Sequence, residues 1–233
     1  SNILTLFRDK AEKLAKELSS SNWNVGNIEQ KPITQNPYPP FITSTLQQEG
    51  IRKLRMSSQQ VMRTAQHLYE EGYITYMRTD SVLMSKDAIE EIRGFVSEKL
   101  GNEYIPAEPR IYKSKVKNAQ EAHECIRPTN IRLSPEELKK YLNSDEYKLY
   151  EIIWQRAVSS QMASAIINQV SVDITNEQDI IVFRSNGSSI KFPGMLAVYQ
   201  ETKEEDKKED EYDKSSLLPT LDQGDPLNLI KAE

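Results

Sequence analysis

The sequence predicts an α+β fold, in which most of the helices come before most of the strands. Apolar residues recur at helical spacing in three regions of the chain, at 3–20, 44–100 and 134–162. From Gln169 onward apolar residues alternate with polar ones, which is typical of half-buried antiparallel strands. Because the two patterns are segregated and no internal repeat is present, they indicate an α+β protein.

The first region predicts a helix, a strand and a connector. The helix at 3–20 rests on five apolar residues at helical spacing: Leu4, Phe7, Ala11, Leu14 and Leu18. A short strand pattern follows from Trp23 to Ile33. Four prolines then predict a stiff extended connector that marks the first domain border: Pro32, Pro37, Pro39 and Pro40.

The helix after the connector begins at a run of small polar residues. Either Ser44 or Thr45 is expected to cap it, and it runs to about Leu54. Gln47 or Gln48 lies where the second half of a capping box would be.

A second helix follows after a tight turn at Arg55-Met56. Ser57 with Gln60 predicts its start, and Gly72 stands where a helix commonly stops. Two helices joined in this way are similar to a helix-turn-helix.

Further helices are predicted at 86–100 and within 134–162. Ser85 caps the first of these, which turns Leu100 inward and stops at Gly101. The sequence Ser134-Pro135-Glu136-Glu137 combines three helix-start signals.

The remaining chain predicts an antiparallel β region. Alternation starts near Val170, and the Asn186-Gly187 pair predicts a hairpin turn. Three further strands are expected at Met195 to Tyr199, Leu217 to Leu221 and Leu227 to Ile230.

The ten residues Gly72 to Ser81, GYITYMRTDS, carry the strongest chemical signal. If Tyr73 to Thr79 is extended, Tyr76 and Arg78 project from the same side. A tyrosine hydroxyl, with an ordinary pKa of about 10, becomes a nucleophile at neutral pH only with electrostatic help. A guanidinium supplies that help and can hold two phosphate oxygens. The pair therefore suits attack on a phosphodiester, and the alternative is a strand whose tyrosine simply packs.

Three blocks of the sequence resemble one protein family. GYITYMRTDS is similar to the active-site motif of the bacterial type IA DNA topoisomerases. PFITSTLQQE, from Pro40 to Glu49, and QEAHECIRP, from Gln120 to Pro128, resemble the same family and stand in its order. Departures such as Ile42 and Cys125 leave the tyrosine untouched.

The resemblance implies a division of the chain into four parts. Residues 1–40 and 163–233 would form one antiparallel β-rich arch domain. A helical domain at 41–131, which carries the tyrosine, would be inserted into it, and 132–162 would be connecting helices.

The resemblance also implies a reaction. Tyr76 would attack single-stranded DNA to form a 5′-phosphotyrosyl bond, and Arg78 would stabilise the charge on the phosphate. Such an enzyme relaxes negatively supercoiled duplex DNA without ATP. The full-length enzyme would need Mg²⁺ bound by an N-terminal domain, and no Asp-x-Asp pair precedes Tyr76. We therefore expect a central fragment with no metal ligands, which relaxes no supercoiled DNA by itself.

The block QEAHECIRP suggests a second site. A short helix from Asn118, stopped by Pro128, would place His123 and Arg127 four residues apart on one polar side. Both could contact a DNA phosphate, as the resemblance favours. The alternative is a surface pair between Arg127 and Glu124 or Glu121. A metal site at His123-Glu124 is weaker, because the second histidine, His67, is on another helix and no Asp-x-Asp cluster accompanies the pair.

Polar side chains near the tyrosine complete the predicted DNA-binding set. Hydroxyls and amides at the start of the helix after the connector could contact phosphates together with the free N–H groups there: Thr43, Ser44, Thr45 and Gln47. Thr79 and Asp80, next to the tyrosine in GYITYMRTDS, are included as well.

The composition of the chain limits how strongly it could bind nucleic acid and which class of protein it suits. The chain has 30 basic and 35 acidic residues, so any affinity for nucleic acid should be modest and local. The acidic stretch at 201–213 is expected to be a solvated loop. One cysteine and no apolar run of membrane-spanning length suit a cytoplasmic protein. A monomer is expected.

Three functions remain open at this stage. The first is the tyrosine-bearing part of a type IA topoisomerase. The second is a helix-turn-helix module that binds DNA without chemistry, against which the near-neutral charge counts. The third is a metal-dependent nuclease, for which a carboxylate cluster is missing.

Overall fold

The computed structural model describes residues 7–113, 124–176, 182–199, 218–219 and 221–230. These residues form α-helices and a four-stranded antiparallel sheet, which confirms the predicted α+β class. Among the described helices, none combines the length and apolar character needed to cross a bilayer.

The chain divides into two compact units. The β-rich unit takes Ser1–Ile33, Ile167–Lys191 and Glu211–Glu233, and the helical unit takes Thr34–Ile166 and Phe192–Asp210. Along the sequence, the helical unit is thus inserted between parts of the β-rich unit. The division into four parts with borders at 40, 131 and 162 stays a prediction.

Helix α1 and the sheet characterise the β-rich unit. The elements are α1 (Arg8–Ser20), β1 (Trp23–Gln35), β2 (Ala165–Asn176), β3 (Val182–Phe192) and β4 (Pro226–Leu227). The strands follow the order β3-β2-β1-β4, and Trp23 is paired with Leu227 in the antiparallel β1–β4 pair. Alternate residues point to one face, so Val25, Val170 and Val172 form a buried apolar cluster.

The described part of the helical unit contains five α-helices. They are α2 (Thr43–Leu54), α3 (Ser58–Glu70), α4 (Lys86–Leu100), α5 (Pro135–Leu138) and α6 (Ser144–Ser160). Short 3₁₀ turns follow at Asn102–Tyr104 and Gly194–Ala197.

Several helix ends agree with the sequence. The Ser57 side chain accepts a hydrogen bond from the Gln60 N–H, and Ser85 does the same for Ala88. Ser134 forms a reciprocal capping box with Glu137. Side-chain acceptors at these positions satisfy N–H groups that have no partner within the helix.

The predicted start of α2 is wrong. Ile42 rather than Ser44 or Thr45 precedes the helix, and no side chain caps it from that position. The Thr45 hydroxyl instead reaches back and accepts a hydrogen bond from the Ile42 N–H at 3.0 Å. Gln47 therefore has no part in the cap.

Helices α2, α3 and α6 surround the main apolar core. The fully buried residues of this core include Leu46 from α2, Leu68 from α3 and Ile153 from α6. A Cβ placed on Gly50 would lie 2.5 Å from Cγ2 of Val61, so a glycine allows α2 and α3 to approach closely. This packing fixes the first two helices of the unit against each other.

Several predictions for the second half of the chain are wrong. β3 continues through Asn186-Gly187 without a turn, and the Ser171 hydroxyl donates to Asn186 Oδ1 at 2.8 Å. Gly194–Ala197 is a 3₁₀ turn, so the strand expected at Met195 to Tyr199 does not form. Leu100, expected to point inward, is 37% exposed.

Neither of the last two predicted strands forms as expected. Leu218, Pro219 and Leu221 lie outside any strand, while Leu217 and Thr220 lie outside the described residues. The final strand consists only of Pro226–Leu227, so it is shorter and earlier than Leu227 to Ile230.

Candidate active site

The tyrosine-bearing segment, Gly72 to Ser81, begins where α3 ends. Gly72 has a φ of 78°, a backbone conformation that favours glycine, and it follows Glu71, the residue that caps the end of α3. The Tyr73 N–H then donates to the Leu68 carbonyl at 2.9 Å. This predicted helix stop is confirmed, and it directs the chain away from the α3 axis.

Exposed and buried side chains alternate after Thr75. Tyr76, Arg78 and Asp80 are exposed, whereas Met77, Thr79 and Ser81 are buried. The segment is not a regular strand, because it bends and forms only one isolated bridge, between Ile74 and Pro128. The buried residues anchor the segment in the helical unit and leave the phenol and the guanidinium in solvent.

A hydroxyl anchors the segment just before Tyr76. The Thr75 side chain donates to the Cys125 carbonyl at 2.7 Å and accepts from the Arg127 N–H at 3.0 Å. The Thr75 N–H also donates to the Arg127 carbonyl at 2.9 Å. Residues about fifty positions later in the chain therefore determine where the backbone of Tyr76 starts.

A second hydroxyl anchors the segment just after Tyr76. The Thr43 hydroxyl lies 2.8 Å from the Met77 carbonyl and 3.0 Å from the Thr79 carbonyl, and it accepts from the Thr79 N–H at 2.9 Å. The Thr43 N–H donates to the Thr79 carbonyl at 2.9 Å. The start of α2 therefore holds the backbone on both sides of Arg78.

An aromatic ring from α3 contacts the ring of Tyr76. The centroids of Tyr69 and Tyr76 are 5.2 Å apart with an interplanar angle of 65°. This edge-to-face arrangement is favoured by the charge distribution of aromatic rings. Tyr76 is 49% exposed and Tyr69 is 40% exposed, so the pair limits the tyrosine's freedom without burying its hydroxyl.

Arg127 does not occupy the helical position predicted for it. The Ile126 N–H donates to the Phe41 carbonyl and the Cys125 N–H to the Leu83 carbonyl. These bonds between segments replace the helical i to i−4 pattern, so Glu124 to Arg127 is extended and the predicted helix is wrong there. Residues 118–123, including His123, lie outside the described residues.

The Arg127 guanidinium pairs with Glu124. Its Nη2 lies 2.8 Å from Oε2 of that carboxylate, and its Nη1 donates to the Pro128 carbonyl. Burial alone would raise the pKa of Glu124, but the hydrogen bond from the Ser85 N–H and the Arg127 charge lower this pKa below its ordinary value. The pair with Glu124 considered from the sequence thus forms, and a phosphate contact by Arg127 stays a prediction.

The other predicted DNA-binding residues are placed differently from one another. Ser44 and Asp80 are exposed, and neither side chain is hydrogen-bonded to another described residue. Thr79 is only 7% exposed, and its hydroxyl accepts from the Ser81 N–H at 3.1 Å. Burial of this kind leaves the Thr79 side chain little access to DNA. Gln47 is half-buried.

The described residues near Tyr76 include no cluster of metal ligands. Among the residues that the structure describes, no group of three His, Cys, Asp or Glu side chains is placed to hold a metal ion. His67, near the end of α3, lies 2.6 Å from Glu146 Oε1 through its Nδ1. That carboxylate also caps α6 by accepting from the Asn143 N–H, which gives the pair a structural role.

Sequence reasoning missed two residues of the site. Thr75 lies inside the motif, but its hydrogen-bond partners are some fifty residues away, so no local pattern indicates its role. Tyr69 stands in the apolar stripe of a predicted helix, where an aromatic residue ordinarily packs inward. Its position seven residues before Tyr76 is one signal in the sequence that points to it.

Comparisons with known proteins identify the family of the chain. A family model described as DNA topoisomerase matches residues 5–233. DNA topoisomerase 1 of Rickettsia bellii is 46% identical over 226 residues, which cover 93% of this chain and 28% of the relative. DNA topoisomerase 1 of Mycolicibacterium smegmatis is 47% identical over 226 residues, which cover 95% of this chain and 24% of the relative.

A solved structure shows the same fold. Full-length topoisomerase I from Thermotoga maritima is similar with a TM-score of 0.65 at 36% identity, over 91% of this chain and 35% of that protein. The chain therefore spans about a quarter to a third of the length of the proteins that it matches. Because the family model covers almost every residue and the fold agrees, the chain belongs to the bacterial type IA DNA topoisomerase family.

Proposed function

We propose that this chain is the tyrosine-bearing part of a longer type IA topoisomerase. In that protein, Tyr76 cleaves one DNA strand and later rejoins it. The observation that carries the proposal is the exposed phenol of Tyr76, held between two anchored backbone positions and followed by the exposed Arg78. A nucleophile must be accessible and fixed at once, and this arrangement provides both.

The proposed step exchanges one phosphate ester for another. The phenol oxygen of Tyr76 attacks the phosphorus and loses its proton, while the bond from phosphorus to the 3′ oxygen breaks and that oxygen gains a proton. The products are a 5′-phosphotyrosyl bond and a free 3′-hydroxyl. Because the bond type is conserved, rejoining is the reverse step and requires no ATP.

Arg78 has the electrostatic role in this proposal. Negative charge increases on the non-bridging phosphate oxygens as the phenol oxygen approaches, and a guanidinium can donate to two of them. No described residue forms a hydrogen bond or ion pair with the Arg78 side chain. The side chain is therefore able to meet a phosphate without first leaving another partner.

The described residues do not fit a Mg²⁺ site. That ion prefers several oxygen ligands, and Asp80 is a single exposed carboxylate in the tyrosine-bearing segment. We place the Mg²⁺ ligands expected for the family in another part of the longer protein and derive no step through them. Single-stranded DNA would be the substrate of the cleavage step, and negatively supercoiled DNA the substrate of the whole cytoplasmic, monomeric enzyme.

A covalent adduct tests the proposal. The longer protein is incubated with a labelled single-stranded oligonucleotide and Mg²⁺, denatured rapidly, and separated on a denaturing gel. We expect a labelled protein band that disappears in Tyr76→Phe. Tyr141→Phe is the matched control, because it removes a hydroxyl from a tyrosine that is 66% exposed elsewhere in the helical unit.

The two possible results have different consequences. A band that persists in Tyr76→Phe would show that another residue is the nucleophile. The absence of any adduct, with DNA binding intact, would favour the helix-turn-helix module without chemistry.

A further inference from the structure

The side chain of Thr43, at the start of α2, forms three hydrogen bonds with the tyrosine-bearing segment. Its hydroxyl contacts the carbonyls of Met77 and Thr79 and the N–H of Thr79, and its own N–H contacts the Thr79 carbonyl. These two residues flank Arg78 on either side. The guanidinium itself has no described partner, so its position depends on the backbone that Thr43 holds.

The proton of the Thr43 hydroxyl is already used in a hydrogen bond within the protein. A threonine hydroxyl has one proton to donate and two lone pairs that accept. The proton points to a carbonyl, at 2.8 Å for Met77 or 3.0 Å for Thr79, and one lone pair accepts from the Thr79 N–H. What remains is an acceptor, and the non-bridging oxygens of a phosphodiester are acceptors too. The hydroxyl therefore cannot bind a phosphate while these bonds are intact.

Thr43 is also held rigidly. It is the first residue of α2, whose Leu46 is fully buried and whose Gly50 touches Val61 of α3. Just before the helix, the Phe41 carbonyl accepts from the Ile126 N–H at 2.8 Å. The hydroxyl is therefore fixed relative to the core, and it transmits that fixed position to residues 77 and 79.

We propose that Thr43 is a positioning residue, whose hydroxyl sets the backbone on both sides of Arg78 and thereby aims the guanidinium at the phosphate. This inference rests on the proposed function, and it replaces the expectation that Thr43 contacts DNA. A phosphate ligand and a positioning residue differ in what their loss changes. The first weakens binding of DNA, whereas the second slows cleavage of DNA that is already bound.

The test compares three variants of the longer protein. Thr43→Val keeps the shape and removes the hydroxyl, Thr43→Ser keeps the hydroxyl, and Thr64→Val makes the same change at a half-buried threonine of α3 whose side chain has no described hydrogen bond. Single-turnover cleavage of an oligonucleotide and the salt dependence of single-strand binding are measured for each. Thermal unfolding of each variant, followed by circular dichroism, confirms that it is folded.

We expect Thr43→Val to cleave on the order of 10- to 100-fold more slowly, because small displacements of catalytic groups have effects of this size. Affinity for single-stranded DNA and its salt slope should stay unchanged. Thr43→Ser should restore most of the rate, and Thr64→Val should cleave like the unmodified protein.

Four results would overturn the inference. The first is an unchanged cleavage rate in Thr43→Val, and the second is a salt slope of single-strand binding reduced by about 0.7 in that variant, because such a reduction marks a lost phosphate contact. The third is a Thr43→Ser variant that cleaves as slowly as Thr43→Val. The fourth is a Thr64→Val variant that cleaves equally slowly. If Thr43→Val does not fold, the serine variant still decides: its rate should match the unmodified protein, and a large loss contradicts the proposal. Failure of the proposed function would appear separately, as an adduct that forms without Tyr76.

Discussion

Replacing Tyr69 by alanine tests whether its ring prepares Tyr76 for attack. The two rings meet edge to face at 5.2 Å, and both are partly exposed. Without this contact, the phenol of Tyr76 gains access to other side-chain rotamers, which point its hydroxyl away from the position required for attack. The cleavage rate should then fall with the fraction of Tyr76 that remains correctly oriented.

The size of the effect follows from the ring contact. Aromatic pairs contribute about 0.5 to 1.5 kcal/mol beyond the area that they bury. Since about 1.36 kcal/mol corresponds to a tenfold change in rate, the loss predicts cleavage roughly 2- to 13-fold slower. Exposure to solvent places this pair at the lower end of the range. Tyr69→Phe keeps the ring, so its rate should stay within about twofold of the unmodified protein.

Single-turnover cleavage of a short labelled oligonucleotide by the longer protein measures this effect directly. Binding of the same oligonucleotide, measured by anisotropy, should be nearly equal in both variants if the ring acts only on Tyr76. Equal cleavage rates in Tyr69→Ala and the unmodified protein would refute the reasoning. So would a phenylalanine variant as slow as the alanine variant, because the hydroxyl of Tyr69 would then matter rather than its ring.

Three further predictions concern charged residues. Arg78→Lys should keep most of the DNA affinity but cleave about 10²-fold more slowly or worse, because an ammonium cannot hold two oxygens in a fixed fork. A single-turnover rate within about threefold of the unmodified protein would instead limit Arg78 to positioning DNA. Arg127→Ala should reduce the salt slope of single-strand binding by about 0.7 if the guanidinium exchanges its Glu124 partner for a phosphate. An unchanged slope would assign Arg127 to the Glu124 pair alone. Glu124→Gln should lower the free energy of unfolding at pH 7 by roughly 1 kcal/mol, as measured by urea denaturation. The folded-state pKa of Glu124 lies below its ordinary value of 4.5, so this stabilisation is present above that pH and is lost as the pH falls through the folded-state pKa. The two proteins should therefore converge in stability in acid, and a difference that persists there would contradict this origin.

Local patterns in the sequence were sufficient for several helix ends. Ser57, Ser85 and Ser134 accept the hydrogen bonds expected of helix caps, and Gly72 ends α3. Such signals are reliable because the partner of each cap is only two or three residues away. The alternation from Tyr76 to Ser81 is equally local, since successive side chains of an extended backbone point in opposite directions.

Predictions failed where a distant partner competes with a local signal. Asn186-Gly187 is a typical hairpin sequence, but pairing with β2 keeps β3 straight through it. The stretch before Pro128 has helical spacing, yet its N–H groups bond to Phe41 and Leu83. Thr45 has the chemistry of a cap, although Ile42 occupies the position before the helix. In the first two cases hydrogen bonds between distant segments decided the conformation, whereas the bond from the Ile42 N–H to Thr45 is local.

By itself, the sequence determined the α+β class and several helix ends, and it predicted Tyr76 and Arg78 as the chemical pair. Only the tertiary structure decided what holds that pair in place. Thr43 and Thr75 act on the segment through carbonyls and N–H groups of residues 34 to 52 positions away. Almost every residue has the same main-chain N–H and carbonyl groups. The side-chain types at the residues whose main-chain groups are bound therefore do not reveal these hydrogen bonds. The physical reason is that sequence patterns encode periodicity and caps over a few residues, whereas a hydrogen bond between remote segments exists only once the core has brought them together.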